Sequence, residues 1–151
     1  MGTQDLFDLQ RFVDAQNPVY ADVVAELGAG KKESHWMWFV FPQLIGLSSS
    51  EMARKYAIRS YEEAAAYWAH PVLGPRLKEC ASLVLAVEGK TLLQIMGPPD
   101  NAKFGSCMTL FGRVAPTEPV FQQALDKYCD GQEDPYTVDF LTKSTNEKAG
   151  Q

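Results

Sequence analysis

The sequence predicts an all-α protein, a compact multihelical single domain of short helices. Three observations carry that expectation. Apolar residues recur at spacings of three and four, the period that buries one face of a helix. Helix-start residues stand ahead of those runs, most plainly Ser60 and Glu63 in "SYEEAAAYWAH". Proline and glycine break the chain at short intervals, and neither a β-meander nor a β–α alternation can be read anywhere.

The elements follow in order. "DLFDLQRFVDAQ" places Leu6, Leu9, Phe12 and Val13 on one helix face, with Asp5 near its start. In "NPVYADVVAELGAG", Asn17 suits an N-cap, Pro18 the first helical position and Gly28 the terminator. "WFVF" has strand-favouring residues but no evident strand to pair with. Ser60 and Glu63 form an S-x-x-E capping box, and His70-Pro71 interrupts the helix they begin. A helix from Pro71 or Pro75 to Gly89 buries Leu77, Leu83, Val84 and Val87.

Thr91 caps a short "LLQIM" turn that stops at Gly97-Pro98-Pro99. Asp100 or Asn101 begins "NAKFGSCMTLFGRVA", with Phe104, Met108 and Phe111 along one side. "PVFQQALDKYC" gives a helix whose apolar positions are Val120, Phe121, Leu125 and Tyr128, and "TVDFL" adds a last turn. The domain is set at residues 5–141, with a disordered tail expected over 142–151.

Composition narrows the function classes. A chain of 151 residues with 46% hydrophobic and 22% charged content can bury a core of its own and argues against wholesale disorder. A net charge of -5 disfavours an extended nucleic-acid partner, which needs a concentrated basic face. No apolar run reaches the ~20 residues that span a bilayer, and "MGTQDLFD" lacks the basic and apolar regions of a secretory signal. A soluble cytoplasmic protein without a membrane partner is expected. Three widely spaced cysteines suit free thiols, and two histidines cannot build a His-rich centre, so neither a metal nor a cofactor is expected.

"ELGAGKKES" fails as a phosphate loop, because Lys32 follows Gly30-Lys31 and Ala25 stands where the first glycine belongs. What remains is polar residues set among aromatics. Lys32, Ser34 and His35 lead into Trp36, and Gln43 follows Phe41-Pro42. Lys103, Ser106 and Thr109 recur every third residue on a helix and can share one face, a cradle for an oxyanion or phosphate. Each also has a structural reading. His35 could be a switchable base or bond a backbone carbonyl. Trp36, Trp38 and Phe41 could stack a base or fill a core. Ser106 and Thr109 could bond back to helix carbonyls, and Asp100 could be a catalytic carboxylate or an N-cap. Arg59 could bind an anion or only solvate the start of its helix, and Cys107 reads as an inert buried thiol.

"SHWMWFVFPQ", "HPVLGPRL" and "MTLF", in that order, resemble the bacterial domain-of-unknown-function family 1810, sometimes labelled calpastatin-like, from about Asp5 to Leu141. The resemblance implies a compact multihelical fold and no established activity. It picks out Lys32, His35, Trp36, Trp38, Phe41, Pro42 and Gln43, then Tyr56, His70, Pro71, Gly74 and Arg76. Further along it picks out Pro99, Asp100, Lys103, Ser106, Met108, Thr109, Leu110 and Phe111. Two departures stand out: Ser48 replaces a glycine in "GLSSS", and Cys107 replaces the second serine before Met108. Nothing in the chain looks like an extended inhibitory repeat.

The polar set shared by both lines of reasoning predicts a small-ligand pocket, for an anionic or nucleotide-like molecule, between segment 32–43 and helix 100–111. Its expected ligand-binding residues are Lys32, His35, Trp36, Trp38, Gln43, Lys103, Ser106 and Thr109, with His35 and Asp100 as catalytic candidates. An alternative follows from the "GPPD" turn, which resembles NADAR proteins: an N-glycosidase acting on a nucleotide or an ADP-ribosylated substrate, with Lys103 and Arg59 holding phosphate. A second alternative is a protein-interaction domain using exposed aromatics, which burial of both Trp36 and Trp38 would exclude. The sequence names no protein partner.

Overall fold

The computed structural model describes residues 5–149, with side chains described as far as Lys143. Among the described residues ten helices follow one another: α1 (Gln10–Gln16), α2 (Tyr20–Gly28), α3 (Met37–Val40), α4 (Glu51–Lys55), α5 (Tyr61–Ala69), α6 (Leu73–Ala86), α7 (Leu92–Met96), α8 (Asp100–Val114), α9 (Pro119–Tyr128) and α10 (Pro135–Ala149). Among the described residues there is no strand, only an isolated parallel bridge between Leu44 and Ile58. The all-α architecture is as the sequence predicts. Among the described residues no helix is long and apolar enough to cross a membrane.

Helix α8 is the hub, packed against α5, α7, α9 and α10, while α6 packs against α2, α5 and α9. Every residue of α8 from Ser106 to Phe111 is buried, so this helix has no solvent face there. Its own Phe104 and Phe111 join the fully buried rings of Phe12, Trp36, Phe41, Tyr67 and Phe121 in the core. Each contributes about 1.5–3 kcal/mol through loss of apolar surface to water.

Local signals place most helix ends. Thr91 and Gln94 make a complete capping box at α7, and Ser60 Oγ accepts from Glu63 N–H at α5. Glu63 does not close that second box, because its carboxylate accepts from Arg59 N–H instead. His70 Nδ1 accepts from the backbone N–H of Val72 and Leu73, serving as a cap for α6. Just beyond it, a Cβ at Gly74 would lie 2.1 Å from the carbonyl oxygen of Trp68. Only glycine lets α6 meet the end of α5 this closely.

Other expectations shift. The carboxylate of Asp5 accepts from Leu9 and Gln10 N–H, so α1 starts at Gln10 and Leu6 is left 78% exposed. Val19, not Asn17, holds the N-cap position of α2, and Gly28 lies inside it, while Gly30 takes the left-handed exit at φ 75°. "WFVF" is a helical turn rather than a strand, because without a neighbouring strand its N–H groups are satisfied only within the turn. Strand-like pairing falls later, where Ile58 N–H donates to Gln43 O and Ile45 N–H to Ile58 O. Leu83 and Val87 are half-buried, although Leu77 and Val84 are in the core. Helix α10 runs through the expected boundary at 141, and most of the 142–151 stretch lies outside the described side chains.

All three cysteines are free, Cys80 and Cys107 buried and Cys129 half-buried. Burial pushes the Cys80 thiol up to about 12 and that of Cys107 well above the ordinary range, which leaves both in the unreactive protonated form.

Candidate functional site

The site begins with the loop between α2 and α3, whose course is dictated by Glu26. Its carboxylate accepts from the backbone N–H of Glu33 (2.8 Å) and Ser34 (3.0 Å), from Ser34 Oγ (2.5 Å) and from the Trp36 indole N–H (2.9 Å). Partial burial alone would raise this carboxyl. The hydrogen bonds, led by Ser34 Oγ, overcome it and hold the group at about 2. Lys32 N–H donates to Ile95 O at 2.8 Å, tying the same loop to α7.

The opposite wall is the start of α8. The Gly97-Pro98-Pro99 turn, with a cis bond between the prolines, delivers Asp100 as the first helical residue. Pro99 occupies the N-cap position, and Asp100 makes no capping hydrogen bond. The N-cap reading of Asp100 is therefore overturned. One residue too far into the helix to cap it, Asp100 instead lies 2.9 Å from Lys32 Nζ and 4.0 Å from Lys103 Nζ.

Between the walls is a cavity of about 350 Å³. The structure brings Lys32, His35, Trp38, Asp100 and Lys103 to its lining, together with Glu33, Met37, Met96, Pro98 and Pro99. The two lysines differ in availability. Lys32, with a side chain only 6% exposed, is spent on Asp100, on the Ser34 carbonyl at 2.6 Å and on the Trp36 ring 4.9 Å away. Lys103 meets only the distant edge of Asp100 and stands 5.9 Å from the centre of the Trp38 ring. Its ammonium keeps hydrogen-bond donors in hand. His35 is exposed, and its imidazole bonds to no other group among the described residues. Glu33 adds a second carboxylate at the lining, which offsets one of the lysines.

The remaining predicted residues are placed elsewhere. Trp36 is buried, whereas Trp38 is half-buried on the cavity wall, so the burial of both rings that would exclude a docking surface is not met. Gln43 and Ser106 line an adjacent groove of about 310 Å³ that shares Lys103 and Pro99 with the cavity. Thr109 faces neither. It is fully buried, its hydroxyl donating to Gly105 O at 2.8 Å and accepting from Asp134 N–H at 2.9 Å, which anchors the start of α10. Arg59 lines a separate depression with Arg11 and Lys55. Sequence reasoning missed Glu26, Glu33 and Met96. Glu26 carries no local signal, since all its partners lie on the loop downstream.

The profile of a family described as "Protein of unknown function (DUF1810)" matches residues 6–141. A solved structure, the conserved hypothetical protein Rv1873 from Mycobacterium tuberculosis, is 55% identical. The match covers 91% of this chain and 99% of that one, with a TM-score of 0.90. No curated protein matches.

Proposed function

The chain belongs to the DUF1810 family, and we propose that its cavity between segment 32–43 and α8 binds a small anionic, nucleotide-like ligand. The observation that carries this reading is Lys103. Its side chain is 18% exposed, it stands beside a half-buried indole, and its only ion contact among the described residues is 4.0 Å long. Withdrawing an ammonium from water without a close partner is costly, and an anion at that point offsets the cost. Lys32 and Asp100 hold the floor, Trp38 offers a ring face for a planar group, and His35 supplies a hydrogen-bond donor or acceptor at the mouth. The three free thiols support placing the protein in the cytoplasm.

A thermal-shift screen of nucleotides, NAD and simple anions tests the reading. A ligand at a hundred times its dissociation constant raises stability by about 2.7 kcal/mol. The shift should appear with the native protein and vanish in Lys103→Ala and His35→Ala. A folded native protein that shifts with none of these compounds sinks the proposal.

One observation favours a second reading, a NADAR-like N-glycosidase. Asp100 is not consumed by capping and lines the same cavity as His35. A carboxylate could take a proton from the attacking water while the imidazole gives one to the departing base. Release of free base from a bound nucleotide, abolished by Asp100→Asn with binding retained, would establish it. Binding without release leaves the cavity non-catalytic.

A further inference from the structure

Lys103 is a wall of three depressions at once. It lines the Trp38 cavity, a narrow crevice beside Trp38 and Gln43, and the adjacent groove over α8. The two larger spaces differ in chemistry. The cavity presents an indole, an imidazole and an ion pair, as described above. The groove presents Gln43, Ser48, Ser106 and Asp134.

Hydrogen-bond bookkeeping in the groove is specific. Asp134 Oδ2 accepts from the N–H and hydroxyl of Thr137, leaving Oδ1 without a partner among the described residues. Ser106 Oγ donates to Ala102 O at 3.3 Å and keeps its acceptor capacity. The side chains of Gln43 and Ser48 make no hydrogen bond to any described residue. An amide, hydroxyls and a carboxylate oxygen suit groups that both donate and accept, which is the character of sugar hydroxyls. They suit a phosphate poorly, because phosphate only accepts and would face the Asp134 carboxylate. Each space is of the size that holds a small ligand group, about 300 Å³ or more.

We propose that cavity and groove together hold one two-part ligand, a nucleoside diphosphate sugar. The base lies against Trp38, the diphosphate at Lys103, and the terminal sugar on Gln43, Ser48 and Asp134. This inference rests on the ligand reading given above for the Trp38 cavity, and it adds the second half of the ligand.

Calorimetric titration with ADP, ADP-glucose and UDP-glucose separates the two claims. At least one sugar nucleotide should bind native protein tenfold or more tighter than ADP. Ala102 is exposed and lines the groove but not the cavity, so Ala102→Trp is directed at the groove. That variant, shown by melting to be folded, should lose the tenfold advantage and keep its ADP affinity within twofold. Lys103→Ala should weaken ADP and sugar nucleotide alike. Equal binding of ADP and both sugar nucleotides, unmoved by Ala102→Trp, overturns the two-part ligand and leaves the anion site standing. No binding of any of the three to folded native protein overturns both.

Discussion

The Arg11–Glu63 pair and the Lys32–Asp100–Lys103 cluster both take charge out of water, yet they use it differently. Arg11 lies 2.9 Å from Glu63, the two side chains 14% and 3% exposed. Its guanidinium also donates to the carbonyls of Phe7, Asp8, Lys55 and Ala57, and the other oxygen of Glu63 accepts from Arg59 N–H. Every strong donor and acceptor there is matched within the protein. In the second cluster Lys32 is matched and Lys103 is not. A saturated pair fastens segments together; an unsaturated one has capacity left for something else. Spare hydrogen bonding, rather than charge or burial, separates a staple from a site.

Several substitutions would break or sharpen this contrast. The largest effect belongs to Arg11→Ala, which leaves Glu63 as an uncompensated buried charge and should cost about 3–5 kcal/mol in urea unfolding. Ligand affinity of the molecules that remain folded should not change, and a cost below about 1 kcal/mol would dissolve the contrast. Glu26→Gln comes next, at about 1.5–3 kcal/mol, because it weakens charge-assisted bonds to the loop. The Glu26 carboxyl sits below its ordinary value of 4.5, so its stabilisation is present above that pH and is lost as the pH falls toward about 2. Native and variant stabilities should therefore converge on acidification, and a constant gap would show that the charge is immaterial.

Thr109→Val should cost about 1–2 kcal/mol by orphaning the N–H of Asp134, with binding in the cavity unaffected. Loss of binding there would return Thr109 to the site. The smallest structural effect is expected from Glu33→Gln, within about 0.5 kcal/mol of native. Because Glu33 lines the same cavity as Lys103, the same change should tighten anion binding by about two- to fivefold, an advantage that fades in high salt. Unaltered affinity at low salt would mean that Glu33 does not act on the ligand.

Much of this was legible in the chain where the governing physics is local. The Thr91 cap and the His70-Pro71 break depend on neighbours within a turn, and the structure has both. "WFVF" misleads because its residues favour strands, while among the described residues no strand stands beside them to pair with. Asp100 misleads for another reason: its choice between capping and ion pairing is settled by Lys32, on a distant part of the chain. The meeting of Lys32, His35, Trp38 and Lys103 could be anticipated, since polar residues placed beside large rings need partners. Arg11 could not, since it looks like an ordinary solvated charge on an amphipathic helix and most of its partners are backbone carbonyls that no side-chain pattern announces.

Trp36 and Trp38 are two residues apart and live in different media, which gives the protein an optical signature. The Trp36 indole is buried and held by a carboxylate, so its emission should be blue and indifferent to whatever fills the cavity. The Trp38 indole is half-buried on the cavity wall, so its redder emission is the one a diffusing quencher reaches and a bound molecule shields. With Trp68 replaced by phenylalanine to remove the third emitter, one spectrum reports fold and occupancy in separate bands, without any label.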